Sequence, residues 1–491
     1  MSLAESNNKN DNQGWSDLFF SFLSAKEPPP LDPVPEIKVR EQYVFDIHTH
    51  VSMKMNLWNR KFWKKHRPVP GDGLMSMLGV QVDFHQLRSG HVGVMIVPHD
   101  IPVGAMRRKF KGLSDVIRFL NRFFNKMEHE DFSNFTQINK ILNLFEEQIY
   151  ITNRKLGSET FVIARSYEDL MYARSKGKIV FVHAIEGSHA LGRNLPPENI
   201  YIPRIKRKGH RPVEGGMIKK EDYAKGKEFD RYLDNLVSLK HRGVCMLTLA
   251  YLFPNELSDC AEGIAEYPKV HSFRYNWKYD PLDAAMNVGL SQLGKAVVRK
   301  MLEIGMIIDL MHSTDAARRQ VYELHDEWIK VHPQELRPIT FSHGGSRALH
   351  EKYHQKTGVT KYAHHKYYGA SKEDILAIER SGGVIGIIME KWWLTGVDTR
   401  LPEFEGWEMT GIDCVIETIF SINEQTEKKD FSCIAIGTDF DGFTDTPPDL
   451  YLYEQFGNLL ERLREHLTED QIKMIFSENA MRMLELGWKT L

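Results

Sequence analysis

The chain has 491 residues with a formal net charge of -2, and 42% of its residues are hydrophobic and 26% charged. That balance excludes a collagen-like or intrinsically disordered chain and gives no general electrostatic reason to bind nucleic acid or an anionic membrane. The length suits either one large β/α barrel with insertions or two ordinary domains, and a core of this size needs no disulfide staples. The four cysteines, Cys245, Cys260, Cys414 and Cys433, form no C-x-x-C pair, so a reducing compartment is expected.

Residues 1–35 read as an N-terminal tail. The start is polar, has no basic leader, and its apolar patch Leu18–Leu23 is too short for a signal peptide or a membrane span, so a cytoplasmic protein is expected. Pro28, Pro29, Pro30, Pro33 and Pro35 prevent regular structure before the folded part, which is expected over 36–491.

Eight apolar runs follow in order: YVFDIHTH (43–50), HVGVMIVPH (91–99), IVFVHAIEG (179–187), VCMLTLAYL (244–252), MIIDLMHS (306–313), PITFSHGG (338–345), GVIGIIM (383–389) and CIAIGTDFDG (433–442). Helix-like segments lie between them. Residues 290–305 put Leu290, Leu293, Val297 and Met301 at helical spacing and stop at Gly305; residues 374–383 also stop in glycines. Alternating strands and helices predict a parallel sheet, and eight strands point to a closed barrel of the TIM (β/α)8 type, with an open doubly wound sheet as the alternative. The stretches 52–90, 104–150, 188–232, 350–372 and 391–411 exceed ordinary connections and imply inserted helices, lids or partner contacts.

Chemistry-bearing residues sit where the apolar runs end, which in a β/α barrel is the catalytic end. Asp46, His48 and His50 close the first run, and because a strand has period two, all three are expected to point to one face. Glu186 ends the third, where a buried carboxylate demands a cation and is able to bridge two. His312 and His343 end two further runs, and neutral imidazole is a common metal ligand. Asp309 is placed to orient a ligand from behind. Of Asp439 and Asp441 in the last run, Asp439 comes first and is the expected acid/base. These donors predict two divalent metal ions and a metal-activated hydroxide that cleaves an amide bond in a small substrate. An ester, lactone or phosphoester hydrolase, or a barrel that keeps metal without catalysis, stays open. The basic segment Arg204–Lys220 reads as a solvated loop or an anion-attracting rim, and Trp392 and Trp393 as core or as lining of the site mouth.

The segments FDIHTH, AIEGSHAL, MIIDLMHSTDAARRQVYE, PITFSHGGSRAL, ILAIERSGGVIGI, IAIGTDFDG and LTEDQIKMIFSENAMRML resemble, in this order, the membrane (renal) dipeptidase family, the M19 peptidases of the amidohydrolase superfamily. The resemblance implies a two-zinc β/α barrel, one metal on His48 and His50, a second on His312 and His343, Glu186 bridging, Asp439 as acid/base, dipeptide substrates and homodimers. Three departures accompany it. His50 stands where the family usually has aspartate. Ala250, followed by Tyr251, stands where it has a substrate-contacting histidine. The region 350–374, where a carboxylate-clamping arginine belongs, contains none, and Lys366 is the stand-in considered.

Overall fold

In the computed structural model of the chain, residues 43–58, 60–66, 79–101, 134–192, 227–251, 255–258, 260–261, 289–357, 368–396, 411–442, 444 and 446–490 are described. The described residues all fall within one compact unit, Ile37–Leu491. The expected tail, the segment Arg204–Lys220 and Lys366 lie outside the described residues.

Among its described residues this unit holds ten strands: β1 Val44–Asp46, β2 Val92–His99, β3 Phe161–Ala164, β4 Ile179–Glu186, β5 Met246–Thr248, β6 Ile307–Asp309, β7 Ile339–Ser346, β8 Gly369–Ala370, β9 Ile385–Ile387 and β10 Ile434–Ile436. Eight of them close into a parallel barrel in the cycle β1-β2-β4-β5-β6-β7-β9-β10, with β10 returning to β1 through Asp46 beside Ile436. This is the TIM-type barrel expected, and its eight strands lie within the eight apolar runs, the end of β7 at Ser346 aside. The open-sheet alternative is excluded by the β2–β4 and β1–β10 pairings. Strands β3 and β8 are additions: β3 pairs with the first half of β4, and β8 with the last residues of β7.

The barrel strands are apolar on both faces because helices cover the outside while side chains fill the inside. Along β4, Ile179, Phe181 and Ile185 join one apolar cluster and Val180, Val182 and Ala184 another. Glu186 continues the face of Val180, Val182 and Ala184 by the period of two. The helices obey local rules. Gln292–Ile304 begins at Ser291, whose hydroxyl accepts from Gly294 N, and ends at Gly305 in the left-handed region. Lys372–Ser381 starts on a capping box of Ser371 and Asp374 and ends at Gly382. Several long connections contain helices, the largest being Asn134–Leu156. Among the described residues, no helix is long and apolar enough to cross a membrane.

The barrel is stitched shut at Asp46. Its carboxylate is fully buried and accepts from His48 N (3.0 Å), Thr438 N (3.1 Å), Thr49 Oγ1 (2.7 Å), Thr438 Oγ1 (2.5 Å) and Tyr453 OH (2.6 Å). One side chain thereby joins the ends of β1 and β10 and the segment at Tyr453. Asp46→Ala leaves those buried donors without an acceptor and is expected to cost on the order of 3 kcal/mol or more in urea unfolding. A loss below ~1 kcal/mol contradicts this role.

Candidate functional site

Six side chains converge at the C-terminal ends of five barrel strands. His48 and His50 follow β1, Glu186 ends β4, His312 follows β6, His343 lies in β7 and Asp439 follows β10. All six are buried. Three overlapping groups have donor atoms within 4.8 Å of one another: His48, His50 and Glu186; His48, His343 and Asp439; Glu186, His312 and His343.

Glu186 is the centre. Its Oε1 lies 3.0 Å from His312 Nε2, 3.6 Å from His48 Nε2 and 3.9 Å from His343 Nε2, and its Oε2 lies 3.2 Å from His50 Nε2. Asp439 Oδ1 lies 3.2 Å from His50 Nε2 and 3.8 Å from His48 Nε2. His48 Nε2 and His50 Nε2 face each other at 3.3 Å. Glu186 Oε1 is within hydrogen-bond geometry of His312 Nε2 (3.0 Å), whereas Glu186 Oε2 and Asp439 Oδ1, despite these short distances, make no well-aligned hydrogen bond among the described residues. Imidazole with carboxylate, converging in this way, is a donor set suited to a divalent metal.

The loops that carry these donors are strained. His312, Asp439 and Asp441 have φ of 63°, 56° and 63°, in the left-handed region that non-glycine residues seldom occupy. Backbone bonds hold two of these turns: Asp439 N donates to His48 O (2.9 Å), His50 N to Phe440 O (2.9 Å) and Ala261 N to His312 O (2.7 Å). Gly187, at φ 94°, lets the chain turn sharply after Glu186; a Cβ there would meet His189 Cε1 at 2.4 Å.

Electrostatics divide the cluster. Burial holds His48 and His343 well below the ordinary imidazole pKa, so both are neutral and ready to ligate. Burial also pulls on His50, yet the carboxylates of Glu186 and Asp439 outweigh it and raise its pKa well above the usual value. Burial alone would lift Glu186, but His50 and His48 beside it hold it well below the carboxylate range. Asp439 is raised above its ordinary value, chiefly by burial.

Around the donors stand residues that fix them. Asp309 accepts from Thr248 Oγ1 (2.6 Å), Ser342 Oγ (2.7 Å), Ser342 N (2.9 Å) and Met311 N (3.1 Å). Ser342 Oγ in turn lies 2.9 Å from His343 Nδ1. With the serine proton committed to Asp309, His343 Nδ1 donates to Ser342, which leaves the Nε2 lone pair directed at the cluster. The Nδ1 atoms of His48 and His50 have no such partner among the described residues. Tyr251 is buried with its ring edge-on to His312, centroids 5.4 Å apart. Trp393 stacks on Tyr368 (4.1 Å, 3°) and lies nearly parallel to His343 (5.7 Å, 17°).

Asp46 does not join the two histidines. Strand β1 ends at Asp46 and the chain bends at Ile47, so the period-two expectation fails beyond that point, and the carboxylate serves the β1–β10 seam. Asp441 pairs with Lys54 Nζ at 3.1 Å. Tyr368, Ser342, Thr248 and Lys54 do not stand out in the sequence. Only Ser342, adjacent to His343, and Lys54, one helical turn beyond His50, carry a positional hint.

A β/α barrel with a buried cluster of histidines and carboxylates at its C-terminal end defines the fold and site type of the metal-dependent hydrolases. The sequence profile of the membrane dipeptidase family, peptidase family M19, matches residues 223–486, and the chain belongs to that family of metallopeptidases. The matched stretch contains His312, His343 and Asp439; His48, His50 and Glu186 precede it. An uncharacterized dipeptidase of Schizosaccharomyces pombe is 26% identical over 205 residues, 42% of this chain and 41% of its own length. The dipeptidase tcpJ of Claviceps purpurea is 24% identical over 205 residues, 41% of this chain and 39% of its own length. The chain thus matches about two fifths of the length of these curated relatives. Among solved structures, a metallopeptidase from Rhodobacter sphaeroides, liganded with a phosphinate mimic of the dipeptide L-Ala-D-Ala, shares the fold with TM-score 0.57 and 15% identity, covering 93% of this chain and 100% of its own. The probable dipeptidase PvdM of Pseudomonas aeruginosa does so with TM-score 0.53 and 14% identity, covering 91% and 96%.

Gly442 tests how tightly Asp439 is held, because an added Cβ would lie 2.1 Å from Asp439 Oδ1 and 2.8 Å from His50 Cδ2. Gly442→Ala is expected to cost about 1–3 kcal/mol of unfolding free energy as the turn shifts. A variant as stable as the parent would show that the turn has room that this packing denies.

Proposed function

We propose that the chain is a binuclear metallohydrolase that cleaves the peptide bond of a small dipeptide-like substrate. The observation that carries the reading is Glu186, one buried carboxylate with four imidazole Nε2 atoms between 3.0 and 3.9 Å from its oxygens. One ion belongs among His48, His50 and Glu186, with Asp439 beside it, and another among Glu186, His312 and His343. The nitrogen-rich set favours zinc. Two divalent ions, when bound, supply Lewis acidity for an attacking water and for the scissile carbonyl.

The chain's own groups do the rest. Asp439 Oδ1 takes the proton of the attacking water and returns it to the departing amine nitrogen; burial raises its proton affinity towards that task. Glu186 stays ionised, and Asp309 acts through Ser342 to hold His343 in one tautomer. Trp393 and Tyr368 form a stacked wall against His343 that keeps water off that side. Family membership supports the dipeptide class. An ester or lactone substrate is the second reading, favoured by one observation: residues 350–374 contain no arginine to clamp a free carboxylate in two-pronged fashion.

Asp439→Asn should retain metal and lose about 10²–10⁴ in kcat on whichever substrate in a panel of dipeptides, N-acyl amino acids, esters and lactones is turned over. Unchanged turnover removes Asp439 from the chemistry, and turnover of esters but of no dipeptide decides for the second reading. Metal uptake should also release a proton. His50 is held protonated above its ordinary pKa and must be neutral to ligate, so affinity should rise with pH through that raised value. Calorimetric titrations in buffers of different ionisation enthalpy should give about one proton displaced. Uptake with no proton release contradicts ligation by a charged His50.

A further inference from the structure

Two ion pairs, one buried and one partly buried, occupy equivalent positions behind the two halves of the donor cluster. Asp315 lies three residues after His312 and Arg347 four residues after His343. The Arg347 guanidinium grips the Asp315 carboxylate with both prongs, at 2.9 and 2.8 Å. Lys54 lies four residues after His50 and Asp441 two residues after Asp439. Lys54 Nζ meets Asp441 Oδ1 at 3.1 Å, with both side chains 1% exposed. Each pair therefore ties together the loops leaving two adjacent strands, β6 with β7 and β1 with β10, within one helical turn of a donor on each loop.

Resting on the two-metal reading above, we infer that each pair is a latch that sets the spacing of one half-site, so that each half tunes its own ion. Burying charges of this kind is a poor route to stability, because desolvation offsets their attraction; what the pair adds is a fixed distance between two loops. The loops need one. His312 on the first pair, and Asp439 and Asp441 on the second, hold left-handed backbone conformations that relax unless the surroundings over-determine them.

Each latch is itself braced. Arg318 contacts Asp374 at 3.0 Å and Asp315 at 3.6 Å, while Tyr322 OH donates to Asp374 at 2.6 Å, which anchors the helix Asp315–Val331 to Lys372–Ser381. On the other side, Asp441 Oδ1 accepts from Gln81 N (2.8 Å), Asp441 N donates to Gln81 Oε1 (3.0 Å), and Lys54 Nζ also donates to Gly79 O. The residues of both pairs act through the histidines and Asp439 and are positioning residues.

The test is stepwise metal affinity of the whole chain, measured by competition with a chromophoric chelator, with cobalt(II) spectra reporting which half is filled. Arg347→Lys keeps the charge and loses the two-pronged grip, and should weaken one equivalent about ten- to hundredfold while leaving the other near the parent value. Lys54→Met should weaken the other equivalent, and the double variant both. If Arg347→Lys does not fold, Asp315→Glu replaces it; if Lys54→Met does not fold, Lys54→Arg does. Folded single variants with both affinities unchanged, or with both weakened equally, overturn the latches. A parent chain that takes up no ion defeats the two-metal reading itself, a result separate from either of these.

Discussion

A carboxylate in a barrel interior is strongly destabilising on its own, and Glu186 is tolerated only beside positive charge. Its oxygens are surrounded by four imidazoles, two of which burial holds neutral. The positive charge on His50 is shared with a second carboxylate, Asp439. Buried imidazole nitrogens and carboxylate oxygens that converge this closely form a set suited to hold a cation. Strained turns at His312 and Asp439, and ion pairs just beyond them, surround that set.

The barrel supplies the rigidity. Each donor lies within, at or just past the C-terminal half of a parallel strand whose neighbours fix its height and rotation. Asp46 commits its carboxylate to the seam between β1 and β10, so that His48, His50 and Asp439 are referenced to one another through backbone bonds. Asp309 does the same between β5, β6 and β7 for His343. Two aspartates, each collecting several donors, thus mark the two sides of the site.

Much of this is legible in the sequence. Runs such as IVFVHAIEG and CIAIGTDFDG announce barrel strands, because a strand buried on both faces must be apolar throughout until it reaches the end that meets the site. The donors His48, His50, Glu186, His312, His343 and Asp439 stand out for the same reason, and the structure brings them together. Asp46 departs from its expected place beside the histidines because the alternation rule holds only while a strand continues, and β1 stops after three residues. Strand β3 has no clear signature because two of its four residues are only partly buried and it follows a 23-residue helix; β8 has none because two residues carry no pattern. The supports are illegible on different grounds. Threonine, serine and lysine occur everywhere, and only the barrel's register reveals that Thr248 reaches Asp309, Ser342 reaches His343 and Lys54 reaches Asp441.

The central claim, that these side chains hold two cations around Glu186, is tested most directly by anomalous X-ray scattering from crystals grown with zinc or cobalt. Two anomalous peaks are expected, one bounded by His48, His50 and Glu186 and the other by Glu186, His312 and His343. Crystals with the metal present in the medium and no peak beside Glu186 would contradict the account.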